Sequence, residues 1–253
     1  MSRFDDSSTA LSFGQAVAAY ERGRPGYPDD AVEWILSQAH TDGRLPDVVD
    51  LGAGTGKFTA SLPERSHSVT AVEPDPQMRE RLAALLPTVT AVDGSAERLP
   101  LDDASADLIT MAQAWHWVDV ASASREVARV LRPGGVLALV WNVRDESADW
   151  VAQLSRVIGT SIAEEYETVV PPLGAPLERV AHAEFGWTNE LDHGGLVAMV
   201  ASRSYVIAMS DADRDELFAR LEELVRTHPD LAGRTTFALP YVTRVTIARV
   251  GAE

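Results

Sequence analysis

Hydrophobic and polar positions follow two different periods along the first part of the chain. Short apolar runs stand directly before an acidic residue, such as Val48-Val49 before Asp50 and residues 68–72 before Glu73. They have the length and β-branched content of buried strands. The segment from Asp29 to His40 instead places its apolar side chains on one face at helical spacing. Because such segments alternate with short glycine-containing turns, the pattern predicts an α/β fold with a parallel sheet flanked by helices.

Further strands are predicted at residues 89–92, 107–111 and 136–140. The pattern changes after Trp141-Asn142, and the later predicted strands are residues 185–191 and 234–250. Helices are predicted at residues 149–168, 196–202 and 211–227. No repeat or Pro/Ser-rich linker interrupts the chain, so we predict one domain, residues 1–253, with residues 144–183 as a cap-like insertion between strands five and six.

The turn after the first predicted strand carries glycines at positions 52, 54 and 56, and the residues after it are predicted to be helical. Glycine lets a ligand approach the backbone closely, so such a turn is typical of a site for a nucleoside-containing cofactor. A phosphate-binding P-loop fits poorly, because Leu51 stands where its first glycine belongs and Phe58 replaces the magnesium-binding hydroxyl. A dinucleotide fingerprint is also weak, because Lys57 occupies the third glycine position.

The remaining pattern, Asp-x-Gly-x-Gly-x-Gly, resembles the first motif of class I S-adenosylmethionine (SAM)-dependent methyltransferases. The resemblance implies a Rossmann-like class I methyltransferase sheet of seven mostly parallel strands, the last one antiparallel, flanked by helices. It also implies that the turn lies under the methionine part of SAM and that the acid after the next strand, Glu73, binds the ribose hydroxyls. The implied cofactor-binding residues of these segments are Asp50, Gly52, Ala53, Gly54, Gly56, Glu73, Pro74 and Met78.

Later segments extend the resemblance. Residues 93–100 resemble the family's Gly-Asp-Ala-Glu-x-Leu-Pro segment, which implies adenine contacts from Ser95, Ala96 and Glu97. Ser95 departs from the family pattern, because an aspartate is common at its position. Residues 107–111 and 131–140 resemble the family's fourth and fifth strands, the latter entered by a Pro-Gly-Gly turn.

The segment from Gln113 to Asp119 follows the fourth predicted strand and contains Trp115, His116 and Trp117. Indole faces suit a cationic sulfonium or an apolar substrate, and His116 is a candidate catalytic base. The alternative is that both tryptophans pack in the core and that His116 caps the next helix. The amide of Gln113 is a candidate for binding the amino-acid end of SAM.

The same segment, and the Arg-Pro-Gly-Tyr-Pro run at residues 24–28, resemble the small-molecule group of trans-aconitate methyltransferase-like enzymes. In that group the N-terminal part, here residues 1–28, folds over the cofactor site. Arg24 would pair with a carboxylate of SAM or of an acidic substrate, whereas the alternative for the whole run is a rigid surface turn. The implied substrate-binding residues are Tyr20, Arg24, Tyr27, Trp115 and Trp117.

Composition narrows the classes of function. The chain has 253 residues, 45% of them hydrophobic, no cysteine and a formal net charge of −16. Without cysteine there is no disulfide, thiolate metal site or cysteine nucleophile, and an acidic chain with a single lysine disfavours nucleic-acid partners. We predict no metal site, because His182, Glu184 and His193 fall on different predicted elements. Without a long apolar run or a signal peptide, we also predict no membrane partner, a cytoplasmic location and a monomer or homodimer.

These observations together predict a SAM-dependent methyltransferase that methylates a small molecule on a carboxylate or hydroxyl oxygen, by in-line displacement, with S-adenosylhomocysteine as the product. The preference for oxygen depends on the resemblance and on His116 and Arg24. Two alternatives stay open, an NAD(P)-dependent oxidoreductase and a non-catalytic SAM-binding protein. Lys57, the only lysine, counts against the oxidoreductase, whereas nothing in the sequence separates an enzyme from a non-catalytic binder.

Overall fold

A computed structural model of the chain describes residues 23–39, 41–159 and 170–251, which divide into two compact units. Of the described residues, the sheet unit contains 26–39, 41–142, 170–185 and 243–251. The second unit contains residues 23–25, 143–159 and 186–242. The boundaries between the units fall within the predicted single domain, and the predicted insertion contributes to both units.

The described residues contain seven strands: β1 Asp47–Leu51, β2 Ser68–Val72, β3 Thr90–Val92, β4 Ala106–Ala112, β5 Leu131–Arg144, β6 Leu177–Asp192 and β7 Thr236–Val250. They form one sheet in the order β3-β2-β1-β4-β5-β7-β6. Strand β1 pairs in parallel with β2 and β4, β2 pairs in parallel with β3, and β4 pairs in parallel with β5. The last strand is antiparallel, so the predicted α/β class and seven-stranded sheet are confirmed.

The strand order has a switch point between β1 and β4. The chain runs from β1 outward to β2 and β3 and then returns to β4 on the other side of β1. In the parallel register Asp50 of β1 lies opposite Ala71 of β2 and Thr110 of β4. Since ligands of such sheets bind beyond the carboxyl ends of the strands at the switch point, the turns that follow β1, β2 and β4 are the expected location of a site.

The helices are α1 Asp29–Ser37, α2 Pro76–Leu85, α3 Val120–Val130, α4 Asp149–Ile158, α5 His193–Ala201, α6 Ser204–Ile207 and α7 Asp211–Thr227, with 3₁₀ turns at Thr59–Ser61, Pro63–Arg65 and Trp115–Trp117. Helix α2 begins after Asp75, whose carboxylate accepts hydrogen bonds from two backbone N–H groups of the first turn. Asp119 caps α3 with one such bond, from the Ser122 N–H. Helix α7 has the bounds that its periodicity predicts.

The prediction of a helix directly after the glycine turn is wrong. That segment contains only the two short 3₁₀ turns. Pro63, which begins the second turn, has no backbone N–H to continue a helix from the first.

Among the other elements, β6 and α4 differ most from their predicted bounds. Strand β6 begins at Leu177, inside the predicted insertion. The prediction missed its first half because β6 is an edge strand, and exposed polar residues such as Glu178 and His182 obscure its apolar alternation. Helix α4 ends at Ile158, where Gly159 adopts a positive φ of 76°. The rest of that predicted helix, residues 160–168, lies outside the described residues.

Each unit has its own apolar core. In the sheet unit, Val48, Leu108 and Val140 of the central strands pack with Ile35 of α1 and Leu82 of α2. In the second unit, the core joins α4, α5 and α7 with the adjoining parts of β6 and β7; its members include Trp150, Leu196, Leu221, Phe237 and Tyr241. No helix in the described part of the chain is long and apolar enough to cross a membrane.

Candidate cofactor-binding and active site

The glycine turn adopts a conformation that requires glycine. Gly52, Gly54 and Gly56 have positive φ angles of 60°, 59° and 91°. A Cβ on Gly52 would lie 3.1 Å from the Cβ of Ala114, so the turn also approaches the segment that follows β4. Gly56 allows helix α2 to pack against the turn, because a Cβ there would lie 2.9 Å from Leu86 Cδ1. The turn at the switch point therefore leaves little room for a side chain at Gly52 or Gly56.

Glu73 lies at the end of β2, buried and 6% exposed. Its Oε2 accepts a 2.7 Å hydrogen bond from the Gly54 N–H, and its Oε1 accepts a 2.9 Å bond from the Asp75 N–H. Burial raises the pKa of the Glu73 carboxyl, and these backbone bonds only partly offset it. Each oxygen still has capacity for a second donor, so the carboxylate can bind two hydroxyl groups while it holds the glycine turn.

Asp50 lies beneath the turn and is 1% exposed. Its two oxygens accept hydrogen bonds from Thr59 Oγ1 at 2.6 Å and Thr110 Oγ1 at 2.7 Å. Burial raises the pKa of Asp50 to about 6, although both hydroxyl bonds oppose that rise. Asp50 therefore connects β1, β4 and the segment after the turn inside the protein, and the predicted direct contact of Asp50 with a cofactor stays a prediction.

Gln113 follows β4 and has a positive φ of 60°, which is unusual for a residue other than glycine. Its backbone N–H donates to the Val140 carbonyl at 2.9 Å, and its Nε2 donates to the Asn142 carbonyl at 3.2 Å. Such backbone conformations cluster at binding sites, where neighbouring contacts hold them. The side chain is half-buried at the carboxyl edge, where the sequence predicts it.

The predicted adenine segment follows β3. Ala96 is buried, whereas Ser95 and Glu97 are half-buried. The Glu97 carboxylate accepts a 2.9 Å hydrogen bond from the Asp119 N–H, which ties this segment to the start of α3. Of the remaining predicted cofactor contacts, Ala53 is half-buried in the turn, Met78 is buried in the first turn of α2, and Pro74 is exposed beside Glu73.

The residues present fit SAM better than a dinucleotide. The glycine turn carries no large side chain at its three glycines, and the acid that follows β2 has lone pairs for two ribose hydroxyls. Lys57 is half-buried at the position where a dinucleotide turn needs a small residue. Among the described residues, no group of three or more histidine, aspartate or glutamate side chains is arranged to hold a metal ion.

Comparison with known proteins decides the family. An uncharacterized methyltransferase of Mycobacterium tuberculosis is 49% identical over 242 residues, which cover 94% of this chain and 97% of the relative. The chain belongs to the methyltransferase family. The family described as a methyltransferase domain matches residues 49–139, which include the glycine turn, Glu73 and Gln113.

Two further likenesses place this methyltransferase among its relatives. Malonyl-[acyl-carrier protein] O-methyltransferase of Dechloromonas aromatica is 39% identical over 142 residues, which are 53% of this chain and 52% of the relative. The solved structure of a putative type II methyltransferase from Anaeromyxobacter dehalogenans has a TM-score of 0.69 at 24% identity and covers 91% of this chain and 99% of that one. At that identity the structural likeness shows the fold alone.

In this methyltransferase the Trp-His-Trp segment forms a 3₁₀ turn. Trp115 is 1% exposed and donates its indole N–H to the Pro172 carbonyl at 2.7 Å, which supports the core-packing alternative for this residue. Trp117 is 39% exposed, and its ring centroid lies 4.6 Å from that of half-buried His116. Only His116 and Trp117 therefore offer surface to an acceptor, and their roles in substrate binding and catalysis stay predictions.

Of the three predicted contacts from the N-terminal segment, two lie in the described residues, one in each unit. Tyr27 lies in the sheet unit, where its ring packs edge-on against Phe58 with centroids 4.9 Å apart. Arg24 lies in the second unit and donates to the Ser202 carbonyl at 3.4 Å. Tyr20 lies outside the described residues.

The sequence interpretation missed three polar residues of the site. Thr59 and Thr110 hold Asp50, and Asn142 connects the ends of several strands. Asn142 did carry a signal, because it is a polar residue at the end of an apolar strand that meets the carboxyl edge. The two threonines carried none, because a threonine in a predicted strand or helix has no distinguishing pattern.

Proposed function

We propose that this methyltransferase binds SAM with the glycine turn and Glu73 and methylates an oxygen atom of a small molecule. The observation that carries the proposal is the buried Glu73 carboxylate, 2.7 Å from the Gly54 N–H at the switch point. A carboxylate there suits a pair of ribose hydroxyls, because charged acceptors make strong hydrogen bonds and each oxygen keeps a free lone pair.

SAM, when bound, supplies a methyl group activated by a sulfonium. The chain's own residues bind and orient: Glu73 would accept from the ribose hydroxyls, the Ser95–Glu97 segment would lie at the adenine, and the Gln113 amide would bind the amino-acid end. Trp117 and His116 would border the acceptor. His116 would take a proton from a hydroxyl acceptor, whereas an ionised carboxylate acceptor needs only to be positioned.

Three observations support a small acceptor that is methylated on oxygen. The net charge of −16 opposes polyanionic partners such as nucleic acids. The partial relative from Dechloromonas aromatica is named an O-methyltransferase. The sequence also resembles trans-aconitate methyltransferase-like enzymes in the segments around Arg24 and His116, which favours a carboxylate acceptor.

The cofactor is tested by isothermal titration calorimetry of the purified protein with SAM, S-adenosylhomocysteine and NADH in parallel. We expect micromolar binding of both adenosyl ligands and no response to NADH. Binding of NADH without binding of the adenosyl ligands would replace the proposal by the oxidoreductase alternative.

The acceptor is tested with SAM labelled on its methyl group and a panel of small carboxylic acids, alcohols and amines. Transfer to a carboxylate or hydroxyl compound is expected, and transfer only to amines would contradict the preference for oxygen. Absence of transfer to any member, with intact SAM binding, would favour the non-catalytic binder. With an acceptor in hand, His116→Asn separates the two oxygen classes, because it slows methylation of a hydroxyl but leaves methylation of a carboxylate unchanged.

A further inference from the structure

Asn142 is a buried amide at the carboxyl end of β5, and it is 5% exposed. Its Oδ1 accepts a 2.6 Å hydrogen bond from Thr243 Oγ1, and its Nδ2 donates a 2.8 Å bond to the Gly26 carbonyl. The orientation of the amide follows from chemistry, since a carbonyl oxygen only accepts and must therefore face the NH₂ group. A buried side chain with both ends bonded is fixed in one position.

The partners of Asn142 lie on three separate parts of the sheet unit. Thr243 belongs to β7, and Gly26 precedes helix α1. The backbone carbonyl of Asn142 also accepts the side-chain amide of Gln113 at 3.2 Å. One residue therefore connects β7, the chain before α1 and the strained residue after β4.

The residue after Gly26, Tyr27, contacts the segment that follows the glycine turn. The ring of Tyr27 packs edge-on against Phe58, two positions after Gly56, with centroids 4.9 Å apart. Gly26 itself is exposed, and its carbonyl is held by the bond from Asn142. Asn142 therefore helps to position the backbone next to Tyr27, whose ring packs against Phe58.

We infer that Asn142 is a positioning residue for the SAM site: it holds Gln113 on one side and the Gly26–Tyr27 backbone on the other in the arrangement that binds the cofactor. The inference rests on the proposed function. Asn142 acts through these neighbours, and small displacements of binding groups are costly because the surrounding contacts must be re-formed.

The test uses Asn142→Asp, which has the same shape. The aspartate still accepts from Thr243 but places an oxygen against the Gly26 carbonyl. We expect S-adenosylhomocysteine to bind about ten-fold more weakly by calorimetry, and hydrogen exchange of the Gly26 and Tyr27 amides in the ligand-free protein to become faster. Thr243→Val, which removes only the hydroxyl, is a second variant with the same expected direction, and Thr243→Ser should restore wild-type affinity.

Asp107→Asn is the matched control. Asp107 is a buried carboxylate of the same unit, and it lies at the amino end of β4, whereas Gln113 follows the carboxyl end of that strand. It should lower the melting temperature and leave affinity for S-adenosylhomocysteine unchanged. Wild-type affinity in both Asn142→Asp and Thr243→Val would overturn the inference, and so would an equal loss of affinity in Asp107→Asn. A wild-type protein that binds no adenosyl ligand would instead overturn the proposed function, and the inference with it.

Discussion

Buried carboxylates at the two edges of the sheet have pKa values that are shifted in opposite directions. At the amino edge, Asp107 of β4 accepts hydrogen bonds from Arg44 at 2.6 Å, Arg132 at 2.8 Å and the backbone N–H of Asp47 at 2.8 Å. Burial alone would raise the pKa of Asp107, but these three donors together lower it. The amino edge is thus a network of ion pairs that satisfies its charges.

At the carboxyl edge, Asp50 and Glu73 are buried and accept hydrogen bonds from hydroxyl and backbone donors, and burial raises the pKa of both. Gln113 is held in a left-handed conformation at the same edge. Unfavourable charge burial and backbone strain cluster where proteins bind ligands, because the arrangement serves binding rather than stability. The comparison indicates that ion pairs stabilise the sheet at its amino edge, whereas charge burial and backbone strain at its carboxyl edge are features expected of a binding site.

The largest expected effect is on the pH dependence of stability through Asp50. Because its folded-state pKa is raised from the ordinary 3.8 to about 6, the folded protein binds the proton more tightly than the unfolded chain does. The contribution of Asp50 to stability is therefore present at low pH and is lost as the pH rises from about 4 to about 6, by about 3 kcal/mol.

Urea denaturation of the wild type and Asp50→Asn at several pH values from 4 to 7 measures this. We expect the free energy of unfolding of the wild type to fall relative to that of the variant across this window and to run parallel above it. A difference that is independent of pH would contradict the buried, proton-binding role of Asp50.

Asp107→Asn should have an effect of opposite pH sense. Loss of its bonds to Arg44 and Arg132 is expected to lower the free energy of unfolding at neutral pH by about 2 kcal/mol. Because the pKa of Asp107 is lowered in the folded protein, the wild type loses this advantage as the pH falls below the ordinary carboxyl range. Denaturation at pH 7 and pH 3 checks it, and an equal difference at both values would count against the ion-pair account.

Glu73→Gln should weaken S-adenosylhomocysteine binding about ten-fold or more, since two charge-assisted hydrogen bonds are lost. Calorimetry of this variant beside Asp107→Asn compares one carboxylate from each edge. Unchanged affinity in Glu73→Gln would remove Glu73 from the cofactor site and end the functional contrast between the edges.

The smallest expected effect concerns backbone strain. Gln113 has a φ of 60°, and Ala104, before β4 at the amino edge, has a φ of 49°. Glycine at either position relieves the strain and should raise the free energy of unfolding by roughly 0.5–1 kcal/mol. Only Gln113→Gly should also weaken S-adenosylhomocysteine binding, because it removes the amide. A loss of affinity in Ala104→Gly would contradict the assignment of binding to the carboxyl edge.

Sequence alone predicts the parts of the site that depend on local backbone chemistry. The glycines at 52, 54 and 56 are needed for positive φ angles, and Glu73 follows directly from the end of β2. The strands of the parallel half of the sheet were also predictable, because buried parallel strands are continuous apolar runs. The helix predicted after the turn was wrong. Pro63 begins the second 3₁₀ turn and has no backbone N–H, so a helix cannot continue through it from the first turn.

The roles of individual side chains needed the tertiary structure. The motif predicts that Asp50 contacts the cofactor. Only the structure shows that its carboxylate accepts hydrogen bonds from Thr59 and Thr110, which lie 9 and 60 residues away in the sequence. Trp115 and Trp117 are two residues apart in one motif, yet one is buried and the other exposed.

The sequence by itself therefore determined the class of fold, the glycine turn and the position of the acid after β2, since each depends on residues adjacent in the chain. The tertiary structure decided which polar groups are enclosed and which remain open to a ligand. It also decided that Asn142 joins Gly26, Gln113 and Thr243, because hydrogen bonds between distant segments form only once the sheet brings their strand ends together.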